Sequence, residues 1–366
     1  LAAVAQTHGL DTKAKYAILV DYDTGAVLYA KNPDDMVGPS SMSKLMTLYL
    51  LFDAVKSGVV SMDDSFMVSE KAWRKGGSKM FVEVNTRVKI RDLIKGIAIQ
   101  SGNDACIVVA EGLAGSEEKF VAEMNLMAER LGMNDTNFEN ATGWPDAGHE
   151  MSVRDLATLA RALIHDFPEY MKFFSIEEYT FNGIRQYNRN QLLRRNIGVD
   201  GMKTGHTEAN GYGIVLTAEN EDNRRLILVL NGLESAKDRV SEGARLLRHG
   251  YRDFKHIKLF KAGDEVAKAK VWFGNKTTVP LQVKNDVVFT VRKRLQRHSD
   301  ETRAELIYNG PIAAPIKKGD RVGKIVVYMG GEKGAETFPV YAAADVEKAN
   351  RLMHMFKAAM HFIVGS

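Results

Sequence analysis

What this chain lacks narrows it quickly. A single cysteine, Cys106, stands among 366 residues, so no intramolecular disulfide and no paired-cysteine metal or redox motif is available. It lies in the apolar stretch DACIVVAEGL, which reads as buried packing rather than as a nucleophile. No apolar run approaches the roughly 18 to 20 residues of a spanning helix. The longest, around Leu48 to Val55, is interrupted by Asp53, which excludes an integral membrane protein of the helical kind. The nine histidines show no H-E-x-x-H spacing, and the triplet Gly-His-Glu at 148–150 is not a substitute for it. There is no Walker loop, and Gly-Tyr-Gly at 211–213 is no dinucleotide fingerprint, so neither a metal nor a cofactor is expected. The basic run RKRLQRH at 292–298 alternates without aromatic interleaving, which reads as a solvated strand end and not a nucleic-acid surface. Internal repeats and low-complexity linkers are absent.

What is present is a globular composition, 45% hydrophobic and 26% charged, with length enough for two domains. The net charge of +4 is unevenly spread. Residues 256–366 carry 19 Lys and Arg against 11 Asp and Glu, and the remainder carries 31 against 35. A basic C-terminal third on a mildly acidic body points to an anionic surface as a partner of that end. The opening LAAVAQTHGL, without Met and rich in small residues, is compatible with the tail of a processed secretory signal.

The stretch KYAILVDYDTGAVLYAKN alternates and turns at Asp23-Thr24-Gly25, which predicts a β-hairpin. Helical periodicity follows over 43–57, 91–98, 103–113, 116–131 and 152–165. Strand patterns return at 201–207, 211–220 and 224–233, and 235–254 reads as a helix with Val240, Ala244, Leu247 and Tyr251 on one stripe. The expected architecture is α+β: one antiparallel sheet, made from both ends of this region and flanked by helices, over residues 1–257. Short β segments separated by turns then predict a small all-β domain over 258–342. The last stretch, 343–366, projects as an amphipathic helix. Val346, Ala349, Leu352, Met353, Phe356, Ala359, Met360 and Ile363 share one face, opposite Lys348, Arg351, His354, Lys357 and His361. That pattern suits either packing on its own domain or an anionic membrane surface, and the cationic face favours the membrane.

Three short motifs carry chemistry. Ser41 and Lys44, in PSSMSKLMT, fit a helix N-cap followed by a first-turn lysine. They also fit a nucleophilic hydroxyl with a base one turn away, provided that the lysine pKa is lowered by burial or by a nearby cation. Ser101-Gly102-Asn103 fits a break between two helices, or a proton relay at Ser101 with an amide at Asn103 able to hold Lys44 and a substrate amide. Lys203-Thr204-Gly205 fits an ordinary surface tripeptide, or a second cation beside a strand that a ligand backbone approaches closely.

Taken together, Ser-x-x-Lys, Ser-x-Asn and Lys-Thr-Gly, in this order, are the marks of penicillin-binding proteins and class A β-lactamases. With FENATGWPDAGHEMSVRDLATLARALI, NRNQLL and VDGMKTGHTEANGYG, almost the whole chain resembles the low-molecular-mass penicillin-binding proteins, the serine-type D-alanyl-D-alanine carboxypeptidases of the penicillin-binding protein 5 and 6 group. The resemblance implies a β-lactamase/transpeptidase-like catalytic domain that removes the terminal D-alanine of peptidoglycan stem pentapeptides through an acyl-enzyme and is acylated by β-lactam antibiotics. It implies Ser41 as nucleophile, Lys44 as general base, Ser101 and Asn103 as relay and positioning groups, and Lys203 as the cation that lowers the Lys44 pKa. It assigns substrate contacts to Thr204 and Gly205, an oxyanion hole to the Ser41 and His206 backbone N–H groups, and the carboxylate pocket to Arg189. The implied location is periplasmic, peripheral on the outer face of the bacterial inner membrane through the C-terminal helix. A β-lactamase would need a deacylating glutamate in an E-x-x-L-N loop, and neither Glu139 nor Glu150 stands in that pattern. A D-alanyl endopeptidase would use the same residues, and a catalytically silent scaffold would have lost Ser41, Lys44 or Lys203.

Overall fold

The strand Tyr16–Asp21 is apolar from Ala17 to Val20 and finds its partners towards opposite ends of its unit. It pairs on one side with Val27–Lys31 across the Asp23-Thr24-Gly25 turn, and on the other with Arg225–Leu233. In this computed structural model, which describes residues 10–293, 303–328 and 335–349, the sheet runs in the order Val27–Lys31, Tyr16–Asp21, Arg225–Leu233, Gly211–Glu219, Val199–Thr207. All four pairings are antiparallel, as expected for a sheet closed from both ends of its domain. The last strand is an edge strand, so one side of its backbone is not used by the sheet.

The two faces of the sheet follow from the period-2 pattern. Ile18, Val20, Val215, Ile227 and Val229 belong to the large core shared with the helical insert. Leu19, Leu28, Leu216 and Leu226 point the other way, where the helix Ala236–Asp253 approaches at Gly243 and Gly250. A Cβ on Gly250 would sit 2.6 Å from Leu226 Cδ1, so the lack of a side chain there sets the packing distance.

The insert contains the helices Lys44–Lys56, Ile90–Ala98, Asn103–Ala114, Glu117–Leu131 and Val153–Asp166. Asn103–Ala114 is buried on nearly every side, which explains its almost uninterrupted apolar sequence. The shorter elements include a hairpin, Glu178–Phe181 with Ile184–Tyr187, that the sequence reading passed over. Its Asn182-Gly183 turn, with φ of 47° and 75°, is the two-residue turn that strand twist favours.

The chain divides into two units between Arg252 and Asp253, a few residues ahead of the expected boundary, because Phe254–Phe260 pairs with Val287–Arg292 inside the second unit. That unit is all-β, as expected. Its six-stranded sheet runs Arg303–Tyr308, Arg321–Tyr328, Ala335–Ala342, Thr278–Gln282, Glu265–Trp272, Ile312–Ala313 around a core that includes Val279, Leu281, Phe289, Val327 and Val340.

The C-terminal helix expected over 343–366 does not start where the periodicity placed it. Val346 is 1% exposed in the β core and bridges Ile316, Lys348 bridges Gly274, and the Ala349 N–H donates to Phe273 O at 2.8 Å. These residues are extended, not helical. Val346 and Ala349 suit a helix stripe and a strand edge equally, and pairing decided the matter. The rest of the expected helix, from 350 onward, lies outside the described residues, as do the first nine residues and most of the basic run at 292–298.

Candidate active site

Ser41 sits in a single 3-10 turn, Ser40–Ser43, that feeds directly into the helix beginning at Lys44. In a 3-10 turn, residues three apart eclipse one another. The Lys44 side chain therefore returns to Ser41, and Nζ donates to Ser41 Oγ at 2.8 Å. Its second acceptor is the carbonyl of Thr142. Lys44 is wholly buried while Ser41 stays partly open. Burial pushes the Lys44 pKa down to about 8, opposed by the Cys106 thiol and aided by the charges of Arg189 and Lys75.

The Thr142 carbonyl is held by a tight loop. Asn140 Oδ1 accepts from the N–H of Thr142, Gly143 and Trp144 at 3.1, 2.9 and 3.1 Å, and from Thr142 Oγ1 at 2.9 Å. Thr47 Oγ1 donates to Ala141 O at 2.7 Å, which ties this loop to the helix that carries Lys44. Gly143 has φ of +76°, and a Cβ there would lie 2.0 Å from Ser40 O. Glycine is therefore required for the loop to touch the Ser40–Ser43 turn.

Ser101 turns the chain between two helices with φ of +61°, a left-handed conformation that is uncommon for serine. The turn aims its buried hydroxyl at the Val199–Thr207 strand, where Lys203 Nζ donates to Ser101 Oγ at 2.8 Å and to Thr204 O at 3.2 Å. The pKa of Lys203 is pushed far down, first by burial and next by the charge of Lys44. The corner is anchored by Asp104. Its carboxylate accepts from the N–H groups of Met80, Phe81 and Ala105 at 2.9 Å each, and from Val82 at 3.2 Å. The loop before the corner is thereby pinned to a helix N-terminus.

Gly205 brings the edge strand against the Ser40–Ser43 turn: a Cβ there would stand 2.9 Å from Pro39 O and 3.1 Å from Ser40 Cβ. Thr204 is buried beside it, and His206 is exposed with its ring stacked on Tyr212 at 3.9 Å. Arg189 stands at the rim, donating to Ser78 Oγ at 2.8 Å.

Two expectations change in detail. Asn103 does not hold Lys44: its Nδ2 donates to Gly76 O at 2.8 Å, and Lys44 uses Ser41 and Thr142 instead. The main cause of the lowered Lys44 pKa is burial, with Lys203 not among the leading contributions. The sequence reading also missed Thr142, Asp104 and Arg239. Thr142 acts through a main-chain carbonyl that no side-chain pattern reveals. Arg239 is buried, lies 5.6 Å from the Tyr212 ring, donates through Nη2 to Arg189 O at 3.4 Å, and has an Nε with no partner among the described residues. Cys106 is buried and free, as expected, and burial pushes its thiol up to about 12.

The chain matches the family model described as D-alanyl-D-alanine carboxypeptidase over residues 2–234, and that of the penicillin-binding protein 5 C-terminal domain over 254–348. It is 38% identical to D-alanyl-D-alanine carboxypeptidase DacA of Haemophilus influenzae, over 87% of this chain and 82% of the relative. The structure of penicillin-binding protein 5 from Haemophilus influenzae superposes with a TM-score of 0.86 at 35% identity, over 93% of this chain and all of that one. Penicillin-binding protein D2 of Listeria monocytogenes, solved with ampicillin bound, matches at a TM-score of 0.61 and 29% identity, over 67% of this chain and all of that one. With a catalytic-domain model spanning more than half of its length and relatives aligned along nearly all of it, the chain belongs to the D-alanyl-D-alanine carboxypeptidase family.

Proposed function

We propose that the chain removes the terminal D-alanine from peptidoglycan stem pentapeptides as a serine-type carboxypeptidase, and that β-lactams acylate it at Ser41. The observation that carries this reading is the 2.8 Å contact between Ser41 Oγ and a fully buried Lys44 whose pKa is near 8. An amine with that pKa is substantially neutral at mildly alkaline pH and serves as a general base.

In the proposed first step, neutral Lys44 takes the Ser41 proton as Oγ attacks the carbonyl of the penultimate D-alanine. The oxyanion is received by the backbone N–H groups of Ser41 and His206. Lys44 returns the proton through Ser101, which Lys203 orients, to the departing amine of the last D-alanine. Water then hydrolyses the ester and regenerates Ser41. The unused side of the Val199–Thr207 backbone accepts the peptide as an added strand, and Gly205 keeps that approach open. Thr204, Arg189 and Lys203 face the terminal carboxylate. Asn103 stiffens the opposite wall through Gly76.

A β-lactamase is disfavoured because neither Glu139 nor Glu150 stands in the E-x-x-L-N loop that would supply a deacylating base. Cleavage of D-alanyl cross-links would use the same apparatus and is separated by substrate, not by geometry.

The relatives named above are peptidases of the penicillin-binding protein 5 type, and no described helix is long and apolar enough to cross a membrane. We place the protein in the periplasm, peripheral on the outer face of the inner membrane, with the basic and apolar C-terminal stretch as its contact to anionic lipid.

The test is intact-mass spectrometry after brief exposure to benzylpenicillin, with D-alanine release measured on a pentapeptide. A persistent adduct on the Ser41 peptide together with D-alanine release supports the reading. Fast adduct loss with antibiotic turnover means a β-lactamase, and no adduct at all overturns the assignment.

A further inference from the structure

The helix Ala236–Asp253 serves two places at once. Arg239 is buried and turned towards Arg189 and Tyr212. On another face, Lys237, Val240, Ala244 and Arg248 recur at helical spacing. With the segment around the 3-10 turn Gln191–Arg194, that face bounds a cleft of about 590 Å³. Leu192, Ile197 and Val240 give the cleft an apolar floor, and Arg195, Lys237 and Arg248 stand exposed along it.

These three cations line one cleft. Neighbouring ones are neutralised: Arg194 by Glu177, Arg245 by Glu242 and Arg185 by Glu178. Arg195, Lys237 and Arg248 make no ion pair among the described residues, and no Asp or Glu lines the cleft. Side chains of one sign, unpaired around an apolar floor, are complementary to an anion that also carries small apolar groups.

The cleft is also wired to the active site. Asn190 caps the 3-10 turn by accepting from Leu192 N–H at 3.2 Å, and donates to Gly201 O on the Lys203 strand at 3.2 Å. The preceding residue, Arg189, reaches Ser78 at the active-site rim.

We propose that this cleft binds a second, carboxylate-bearing peptide arm of the polymeric substrate, beside the stem whose end enters at Ser41. This rests on the carboxypeptidase reading and adds a reason for preferring polymer over a free peptide. Alanine methyl groups fit the apolar floor, and the free carboxylates of the arm meet the three cations. A second point of attachment raises the local concentration of the stem to be cut without altering the chemical step.

The experiment compares wild type with the triple variant Arg195→Glu, Lys237→Glu, Arg248→Glu on two probes: uncross-linked peptidoglycan polymer rich in pentapeptide, and the soluble tripeptide diacetyl-Lys-D-Ala-D-Ala. The expected result is a loss of about tenfold in kcat/KM on polymer, carried by KM, as three screened ion pairs would give. Tripeptide turnover and penicillin acylation stay within about twofold of wild type, which also shows that the variant folds. The conservative variant Arg195→Lys, Arg248→Lys keeps most of the polymer activity. Equal losses on both probes, or an unchanged rate on polymer, overturn the proposal. Loss of co-sedimentation with phosphatidylglycerol vesicles at unchanged polymer activity overturns it in favour of a lipid surface. Failure of the underlying reading looks different, since the wild type would then take no penicillin and release no D-alanine from either probe.

Discussion

Lys44 Nζ lies 2.8 Å from Ser41 Oγ, and Lys203 Nζ lies the same distance from Ser101 Oγ, so the site is built from two lysine–serine pairs contributed by elements far apart in the chain. In the first pair the serine is partly open and the lysine is sealed. In the second both members are buried. That asymmetry fits the proposed roles of a nucleophile with its base and of a relay with its anchor.

Replacing either member of the first pair tests its role directly. Ser41→Ala should give no penicillin adduct by intact mass. Lys44→Met should slow acylation by about 10²- to 10⁴-fold, the usual contribution of a general base. Acylation of Lys44→Met at the wild-type rate would remove Lys44 from the mechanism.

The lowered Lys44 pKa predicts two pH trends. Acylation should rise with pH and level off above about 8, as the amine loses its proton. For stability the sign is also upward. The folded state gives up the Lys44 proton near pH 8 and the unfolded state near 10.5, so between those values the unfolded chain binds more protons. Stability to urea should therefore increase through that window, with Lys203 acting in the same direction. Below it both states are charged and the folded one bears the cost of burying the cation, so Lys44→Met should be more stable than wild type at pH 7, by up to about 3 kcal/mol. A urea midpoint that falls in the variant would contradict this.

Gly143→Ala should disable the site without touching a side chain in it. The new Cβ would meet Ser40 O at 2.0 Å and Ser43 Oγ at 2.6 Å, at a φ that alanine resists. A fall of about 100-fold in acylation is expected, with a stability loss of about 1–3 kcal/mol. Asn140→Ala, which removes four bonds from the same loop, should act in the same direction. Wild-type acylation in both would mean that the Thr142 carbonyl is dispensable to Lys44.

Asp104→Ala should destabilise the first unit by about 2–4 kcal/mol, because it leaves the Met80, Phe81 and Val82 N–H groups without their acceptor. Asp104→Asn, retaining one acceptor oxygen, should recover part of this. Thermal melting of the three proteins orders them, and an unperturbed alanine variant would show that the clamp is incidental.

The motifs were legible because each of Ser41, Lys44, Ser101 and Lys203 acts through a side chain at a fixed offset in the chain. The sheet was legible because Tyr16–Asp21 and Arg225–Leu233 are short, nearly continuous apolar runs bounded by turn residues. Thr142 escaped notice because a carbonyl belongs to every residue, and Asp104 because three of its partners are backbone N–H groups more than twenty positions away. Asn182-Gly183 is a strong hairpin signal, but strands of only four residues on either side offer little pattern to read. At 345–349, five residues cannot distinguish a 3.6-residue period from a 2-residue one, and the β core claimed Val346. The split of influence between burial and Lys203 on Lys44 depends on three-dimensional enclosure, which no one-dimensional pattern contains.

The strand Tyr16–Asp21 waits for Arg225–Leu233, more than two hundred residues downstream, before it has its second neighbour. An emerging chain therefore carries Ser41 and Lys44 early, while the strand bearing Lys203 and the strands that hold it in place arrive late. Long-range closure of this kind is slow to fold. It also means that the Ser41–Lys44 pair is synthesised first, and that the Lys203–Ser101 contact can form only once the strand Val199–Thr207 has been made.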